Sequence, residues 1–220
     1  MAAALTPGDS VIRNAASEPH VQDLARMLVK MGAQIEGIGT DTITVHGVEK
    51  LNGCEYEVMP DRIEAGTLLL AGAISGGQVT VDNCEPSHLL ALFDKLQESG
   101  FSIRTEGGSV TVEAADQWTG SDVATAPYPG FPTDLQAQFM ALMTRAKGRS
   151  RITETIFENR FMHVQELARL GARIHMDGQT AIVDGTEVLH GAPVMATDLR
   201  ASVSLVIAGL AAEGETEVNR

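Results

Sequence analysis

Aromatic side chains, positive charges and cysteines are all scarce in this chain of 220 residues. Aromatic residues make up 4% of the sequence, so the core must be built from aliphatic side chains. Lysine and arginine number 16 against 29 aspartates and glutamates, which gives a formal net charge of -13. This charge argues against nucleic-acid binding, which needs a basic face. A few well-placed arginines could still bind a small anion.

Membrane-spanning and secretion signals are also lacking. The sequence contains no run of about 18 apolar residues, which predicts no membrane span. The first residues carry no basic segment, which predicts no secretion signal. Cys54 and Cys84 have no metal-ligand spacing and are interpreted as free thiols, with a structural disulfide as the weaker alternative. These features predict a cytoplasmic protein.

The chain repeats one pattern of helix, small-residue turn and two short strands. The turn glycines recur at nearly equal spacing, at Gly32, Gly100 and Gly171. Residues 60–120 show the fullest copy, in the order helix, strand, helix, strand, strand. Residues 133–191 fit the same order. The first copy starts mid-unit near Leu5, and a fourth runs from Thr197 to Arg220. We therefore expect a fragment, or half of a larger enzyme.

Aspartates recur where the repeated helices begin, at Asp61, Asp134 and Asp198. One interpretation is that each aspartate caps its helix, which is worth about 1 kcal/mol. The alternative is that several helix N-termini face one cleft and form an anion site. Arg62 and Arg200, which lie close to two of the aspartates in sequence, would strengthen such a site.

Two segments depart from the repeat. Residues 127–134 form a proline-rich approach to a helix, and residues 152–163 are longer than their counterparts and combine two acids, an arginine and a histidine. Loops held by a rigid scaffold are common functional positions. The alternative interpretation is a solvated loop followed by a capped helix.

These same segments resemble the enolpyruvyl transferases, in particular the branch that acts on UDP-N-acetylglucosamine. The matching strings are FPTDLQAQ at 131–138, TETIFENRFMH at 153–163, ATDLRAS at 196–202, NAASEP at 14–19 and PDRIE at 60–64. The resemblance implies an α/β fold of repeated β-α-β-α-β-β units, forming part of an inside-out α/β barrel that is truncated here. It assigns residues 1–58 to the last unit of one lobe and residues 59–220 to most of the other.

The resemblance also implies roles for individual residues. Asp134 corresponds to the carboxylate near the sugar 3-hydroxyl, a substrate ligand and general base whose pKa burial could raise. Ile156 corresponds to a position whose backbone contacts the UDP-sugar. Arg160 and Arg200 correspond to arginines that hold phosphoenolpyruvate. The remaining candidates, near the cleft between lobes, are Asp198 and Arg62.

The expected substrates are therefore UDP-N-acetylglucosamine and phosphoenolpyruvate, with no cofactor and no metal. The resemblance places the general acid (Cys or Asp) and a Lys-Asn pair outside this chain, so the chain alone is expected to be inactive. The missing half, or a second copy, is the expected protein partner. Two alternatives remain: a non-catalytic lobe that binds a sugar nucleotide, and a relative of 3-phosphoshikimate 1-carboxyvinyltransferase.

Overall fold

The computed structural model describes residues 1–114, 116–157, 160–196 and 198–220. The chain divides into two compact units. The first comprises Met1–Asp61 with Pro127–Pro129, and the second comprises Arg62–Ala126 with Gly130–Arg220. The assignment of residues 1–58 and 59–220 to different lobes stays a prediction. Thr197, Glu158 and Asn159, which belong to the predicted repeat and to its departures, lie outside the described residues.

The first unit is a three-stranded antiparallel sheet with one long helix. After a 3-10 turn at Ala2–Leu5, its elements are β1 (Asp9–Arg13), α1 (Pro19–Lys30), β2 (Gln34–Glu36) and β3 (Thr42–His46). The strand order is β1-β3-β2. Pro19 suits the first turn of α1, because its missing N–H would have no partner inside the helix. A small aliphatic core fills this unit, formed by Ala4, Leu28, Ala33, Ile43 and Val45.

The second unit contains the other five helices and eleven strands that the structure describes. Its helices are α2 (Arg62–Ile74), α3 (Leu90–Ser99), α4 (Gln136–Met143), α5 (His163–Arg169) and α6 (Leu199–Leu210). Its first strands are β4 (Gln78–Val81), β5 (Ser102–Glu106), β6 (Ser109–Glu113), β7 (Val123–Ala124) and β8 (Arg149–Thr153). The remaining strands are β9 (Arg173–Asp177), β10 (Thr180–Asp184), β11 (Leu189–His190), β12 (Pro193–Met195), β13 (Ala212–Glu213) and β14 (Glu217–Asn219).

The repeated unit is complete between residues 123 and 184. There β7, α4, β8, α5, β9 and β10 follow one another as β-α-β-α-β-β, and the sheet order is β7-β8-β10-β9. The β7 strand runs parallel to β8, whereas the other pairs are antiparallel. The mixed α/β class and the repeat are therefore confirmed. The two- and three-residue strands β7, β11, β12 and β13 were not predicted, because so few residues show no alternation.

Helix α4 lies at the centre of the second unit. All eight of its residues are buried, and it packs against α2 and α6. Its apolar residues are spread around the helix, as expected for a helix with no solvent face. Helix α2 closely approaches the turn before α4 at Gly66, where an added Cβ would lie 2.7 Å from Leu135 Cδ1. The N-terminal end of α4 is therefore held rigidly by its neighbours.

The turn glycines of the repeat have one common backbone conformation. Gly32, Gly100 and Gly171 have φ angles of 106°, 104° and 92°. This left-handed region is strained for residues with a Cβ, so glycine is required at the helix-to-strand turn. Cys54 and Cys84 are free thiols, as predicted. No helix in the part of the chain that the structure describes is both long enough and apolar enough to span a bilayer.

Candidate active site

Three of the predicted site residues, Asp134, Arg160 and Arg200, meet near the N-terminal end of α4. Asp134 lies in a 3-10 turn, Thr133–Leu135, that leads directly into α4. Arg160 comes from the segment between β8 and α5, and Arg200 comes from the first turn of α6. These three side chains belong to different elements, and the packing of the unit brings them together.

Asp134 forms ion pairs with both arginines through the same oxygen. Its Oδ1 lies 2.7 Å from Nη2 of Arg160 and 3.3 Å from Nε of Arg200. The three side chains are 36%, 21% and 25% exposed, respectively, so the cluster is accessible but partly desolvated. No helix-capping bond is made by the Asp134 side chain, so the cap interpretation is wrong for this residue.

The protonation of Asp134 differs from the expectation. Burial raises the pKa of the carboxyl, but the hydrogen bond and charge of Arg200, together with Arg160, outweigh burial. The net pKa therefore lies below its usual value. The expected rise in the pKa of Asp134 is thus wrong for this arrangement, because the sequence did not reveal the double pairing. Its role as a base stays a prediction.

Asp198 caps α6. Its Oδ1 accepts hydrogen bonds from the backbone N–H groups of Arg200, at 2.7 Å, and Ala201, at 2.9 Å. The cap interpretation is therefore confirmed for Asp198. Because the capped turn carries Arg200, the cap also fixes the backbone from which that guanidinium reaches Asp134.

The family of the chain is decided by its similarity to known proteins. The family of EPSP synthase (3-phosphoshikimate 1-carboxyvinyltransferase) matches residues 1–220. The chain belongs to this enolpyruvyl transferase family. Two relatives, from Azorhizobium caulinodans and Xanthobacter autotrophicus, are each named UDP-N-acetylglucosamine 1-carboxyvinyltransferase and are 62% identical to it. Each match covers 100% of this chain and 52% of the relative, so the chain spans about half their length.

Solved structures of enolpyruvyl transferases share the fold. The enolpyruvyl transferase NikO from Streptomyces tendae superposes with a TM-score of 0.86 at 29% identity, over 98% of this chain and 52% of that one. An EPSP synthase from Acinetobacter baumannii gives 0.69 at 19% identity, over 97% and 53%. The predicted enolpyruvyl transferase fold, with only about half of it present in this chain, is therefore confirmed.

Sequence reasoning missed one heavily hydrogen-bonded side chain of the candidate site. Glu154 follows β8 and is 0% exposed. Its Oε1 accepts from the Thr125 hydroxyl at 2.7 Å and from the N–H groups of Ile156 and Phe157 at 2.8 and 3.0 Å. Its Oε2 accepts from the Thr133 hydroxyl at 2.8 Å. The signal was available, since Glu154 is one of the two acids in the segment that departs from the repeat.

Ile156 is held by its backbone, with its side chain 45% exposed. Its N–H donates to Glu154 Oε1 at 2.8 Å, and its predicted backbone contact with the UDP-sugar stays a prediction. His163, the histidine of the same segment, is 1% exposed. Burial lowers its pKa to about 4, with Asp198 acting against this shift and Arg160 reinforcing it. His163 is therefore a neutral side chain near pH 7.

Arg62 opens α2 and is 8% exposed. Helix α2 packs against the Thr133–Leu135 turn, so Arg62 belongs to the same unit as the Asp134 cluster. Its predicted role near the cleft stays a prediction. Among the residues that the structure describes, no group of three or more His, Cys, Asp or Glu side chains is placed to hold a metal ion.

Proposed function

We propose that this chain is part of an enzyme that transfers the enolpyruvyl group of phosphoenolpyruvate to the 3-hydroxyl of UDP-N-acetylglucosamine. Phosphate is the other product. The relatives at 62% identity support this proposal by the name they carry. Because the chain spans about half their length, we propose that it has no turnover by itself, since catalytic groups acting as a unit are not individually dispensable.

The observation that carries the proposal is the pairing of Asp134 with two arginines. Arg160 and Arg200 converge on one oxygen position, at 2.7 and 3.3 Å, and each guanidinium can bind carboxylate or phosphate oxygens in a fork. Phosphoenolpyruvate carries both anionic groups. In the structure the Asp134 carboxylate occupies the position that an anionic substrate group would compete for.

This competition bears on the role of Asp134 as a base. The sugar oxygen forms a bond to the central carbon of phosphoenolpyruvate, its hydroxyl proton goes to Asp134, and the methylene carbon takes a proton from the general acid expected outside this chain. Phosphate then leaves, and loss of a proton from the methyl group restores the double bond. A carboxylate paired with two guanidinium groups is a poor acceptor for that proton. Once substrate anions engage Arg160 and Arg200, the two opposing charges are shared and the basicity of Asp134 rises. Its activity as a base is thereby linked to the presence of phosphoenolpyruvate.

The reaction is the first committed step of peptidoglycan synthesis, and we propose the cytoplasm as its location. The two small-molecule substrates are the primary partners. The half of the enzyme that this chain lacks, or a second copy of the chain, is the proposed protein partner. A 3-phosphoshikimate substrate is less well supported, because the solved EPSP synthase is 19% identical whereas the relatives named above are 62% identical. A non-catalytic lobe remains the other alternative.

A hybrid enzyme tests the proposal. In it, this chain replaces the segment that it matches in the Azorhizobium caulinodans relative. We expect phosphate release from phosphoenolpyruvate that depends on UDP-N-acetylglucosamine, at about 1–10 per second, and none from the isolated chain. Phosphate release that depends on 3-phosphoshikimate instead would favour the shikimate alternative. A folded hybrid with no turnover on either substrate would favour the non-catalytic lobe.

A further inference from the structure

Glu154 links three segments around the candidate site. Its buried carboxylate accepts four hydrogen bonds, from the Thr125 and Thr133 hydroxyls and from two backbone N–H groups of the loop after β8. Burial of a carboxylate costs several kcal/mol unless hydrogen bonds compensate it. The four donors supply that compensation, and two of them are N–H groups through which the carboxylate holds the loop.

Two of the groups that Glu154 holds contact Arg160 directly. The Thr133 hydroxyl donates to Glu154 Oε2 and accepts from Arg160 Nη1 at 3.0 Å. A hydroxyl has one proton, so its donation to Glu154 turns a lone pair toward the arginine. The guanidinium carbon of Arg160 lies over the ring of Phe157, 5.5 Å from the ring centre, and the N–H of Phe157 is bound by Glu154.

These contacts divide the Arg160 fork into two ends. Nη1 is held by Thr133, whereas Nη2 is bound to Asp134, the group that we propose a substrate anion displaces. The hydrogen bond from Nη1 to Thr133 does not involve Nη2, so it remains when a substrate anion replaces Asp134 there. An arginine that is already fixed at one end loses less conformational freedom on binding its ligand.

We propose that Glu154 and Thr133 are a positioning pair that fixes the guanidinium plane of Arg160 for an anionic group of phosphoenolpyruvate, an inference that rests on the proposed function. Neither residue needs to touch the substrate. The pair acts through the hydroxyl bridge and through the loop that carries Phe157.

Kinetics of the hybrid enzyme test this role. Thr133→Val keeps the shape but removes the bridge, and we expect it to raise KM for phosphoenolpyruvate about 5- to 30-fold. KM for UDP-N-acetylglucosamine should not change. Glu154→Gln should also raise KM for phosphoenolpyruvate, but because Glu154 binds the Ile156 N–H as well, the comparison of the two KM values rests on Thr133→Val. Thr133→Ser, which retains the hydroxyl, should have the wild-type value.

Thr153→Val is the matched control. Thr153 precedes Glu154 and its hydroxyl pairs with Thr180 at 2.9 Å, away from the arginine. A purely structural role would lower stability and change both KM values together. Equal rises in both constants, or a Thr133→Val variant that behaves like Thr153→Val, would overturn the proposal.

A second measurement keeps the failure of this inference distinct from the failure of the proposed function. A hybrid without turnover would reject the proposed function. The contact between Thr133 and Arg160 can still be examined in the isolated chain by urea unfolding. We expect Thr133→Val combined with Arg160→Met to be less destabilising than the sum of the single changes, because both remove one contact. Strictly additive effects would reject the link.

Discussion

The buried, neutral His163 makes a quantitative prediction about acid sensitivity. Its pKa is about 4 in the folded chain against an ordinary value of 6.5, chiefly because burial disfavours the charged form. Between pH 4 and pH 6.5, His163 binds a proton in the unfolded chain but not in the folded chain. Stability contributed by the neutral side chain is therefore complete above pH 6.5 and is lost as the pH falls toward 4.

The size of this effect follows from the shift. One pKa unit corresponds to about 1.4 kcal/mol, so the full shift is worth about 3.5 kcal/mol, of which about 2 kcal/mol is lost between pH 7.5 and pH 5. His163→Phe keeps a ring beside Phe161 but removes the titrating group. The variant should therefore lose about 2 kcal/mol less than the wild-type chain over this range.

Urea unfolding measures the difference. Trp118 is the only tryptophan and lies in the same unit as His163, so its fluorescence reports the relevant transition. Carboxylates titrate in both chains and cancel when the two pH dependences are subtracted. Identical losses in wild type and variant would refute the assignment of a strongly lowered pKa to His163.

Three further predictions concern Asp134, the arginines and the first unit. In the hybrid enzyme, Asp134→Asn should lower turnover by about two to four orders of magnitude without unfolding the protein, and a near-normal rate would remove Asp134 as the base. Arg160→Lys and Arg200→Lys should lower kcat/KM for phosphoenolpyruvate by an amount equivalent to about 1–3 kcal/mol. Arg169 is a surface arginine 3.8 Å from Glu166, and Arg169→Lys should leave the steady-state kinetics nearly unchanged. Equal effects of all three changes would mean that Arg160 and Arg200 lie outside the site. The hydrogen bond and charge of Asp9, 2.7 Å away, raise the pKa of His46, so this contribution to stability is complete below pH 6.5 and disappears as the pH rises through the folded value. An NMR titration should show a His46 pKa above 6.5 that falls in Asp9→Asn, and an unchanged value in that variant would contradict the pairing.

Asp134 illustrates what the sequence left undecided about the site. The helix cap and the rise in pKa on burial, both expected from the sequence, are not found, because the carboxylate is bound by Arg160 and Arg200. The role of Asp134 as a base stays a prediction. Those arginines come from segments far along the chain. No local pattern reports such a contact, because it depends on how α4, α6 and the loop after β8 pack.

Glu154 is a residue of the candidate site that the sequence did not identify. It is an acid in a loop, and acids in loops are usually solvated. Its complete burial becomes favourable only because Thr125, Thr133 and two backbone N–H groups surround it. The donors are contributed by separate segments, so the sequence could mark the segment as unusual but could not identify its central residue.

The sequence by itself determined the repeat, the mixed α/β class, the glycine turns and the family, because these follow from short-range conformational preferences and from long matching strings. It also named Asp134, Arg160 and Arg200. Only the tertiary structure decided which charges meet, that arginine pairing outweighs burial at Asp134, and that Glu154 and His163 are buried near them. The physical reason is that burial and charge pairing depend on distances between segments, and packing alone sets those distances.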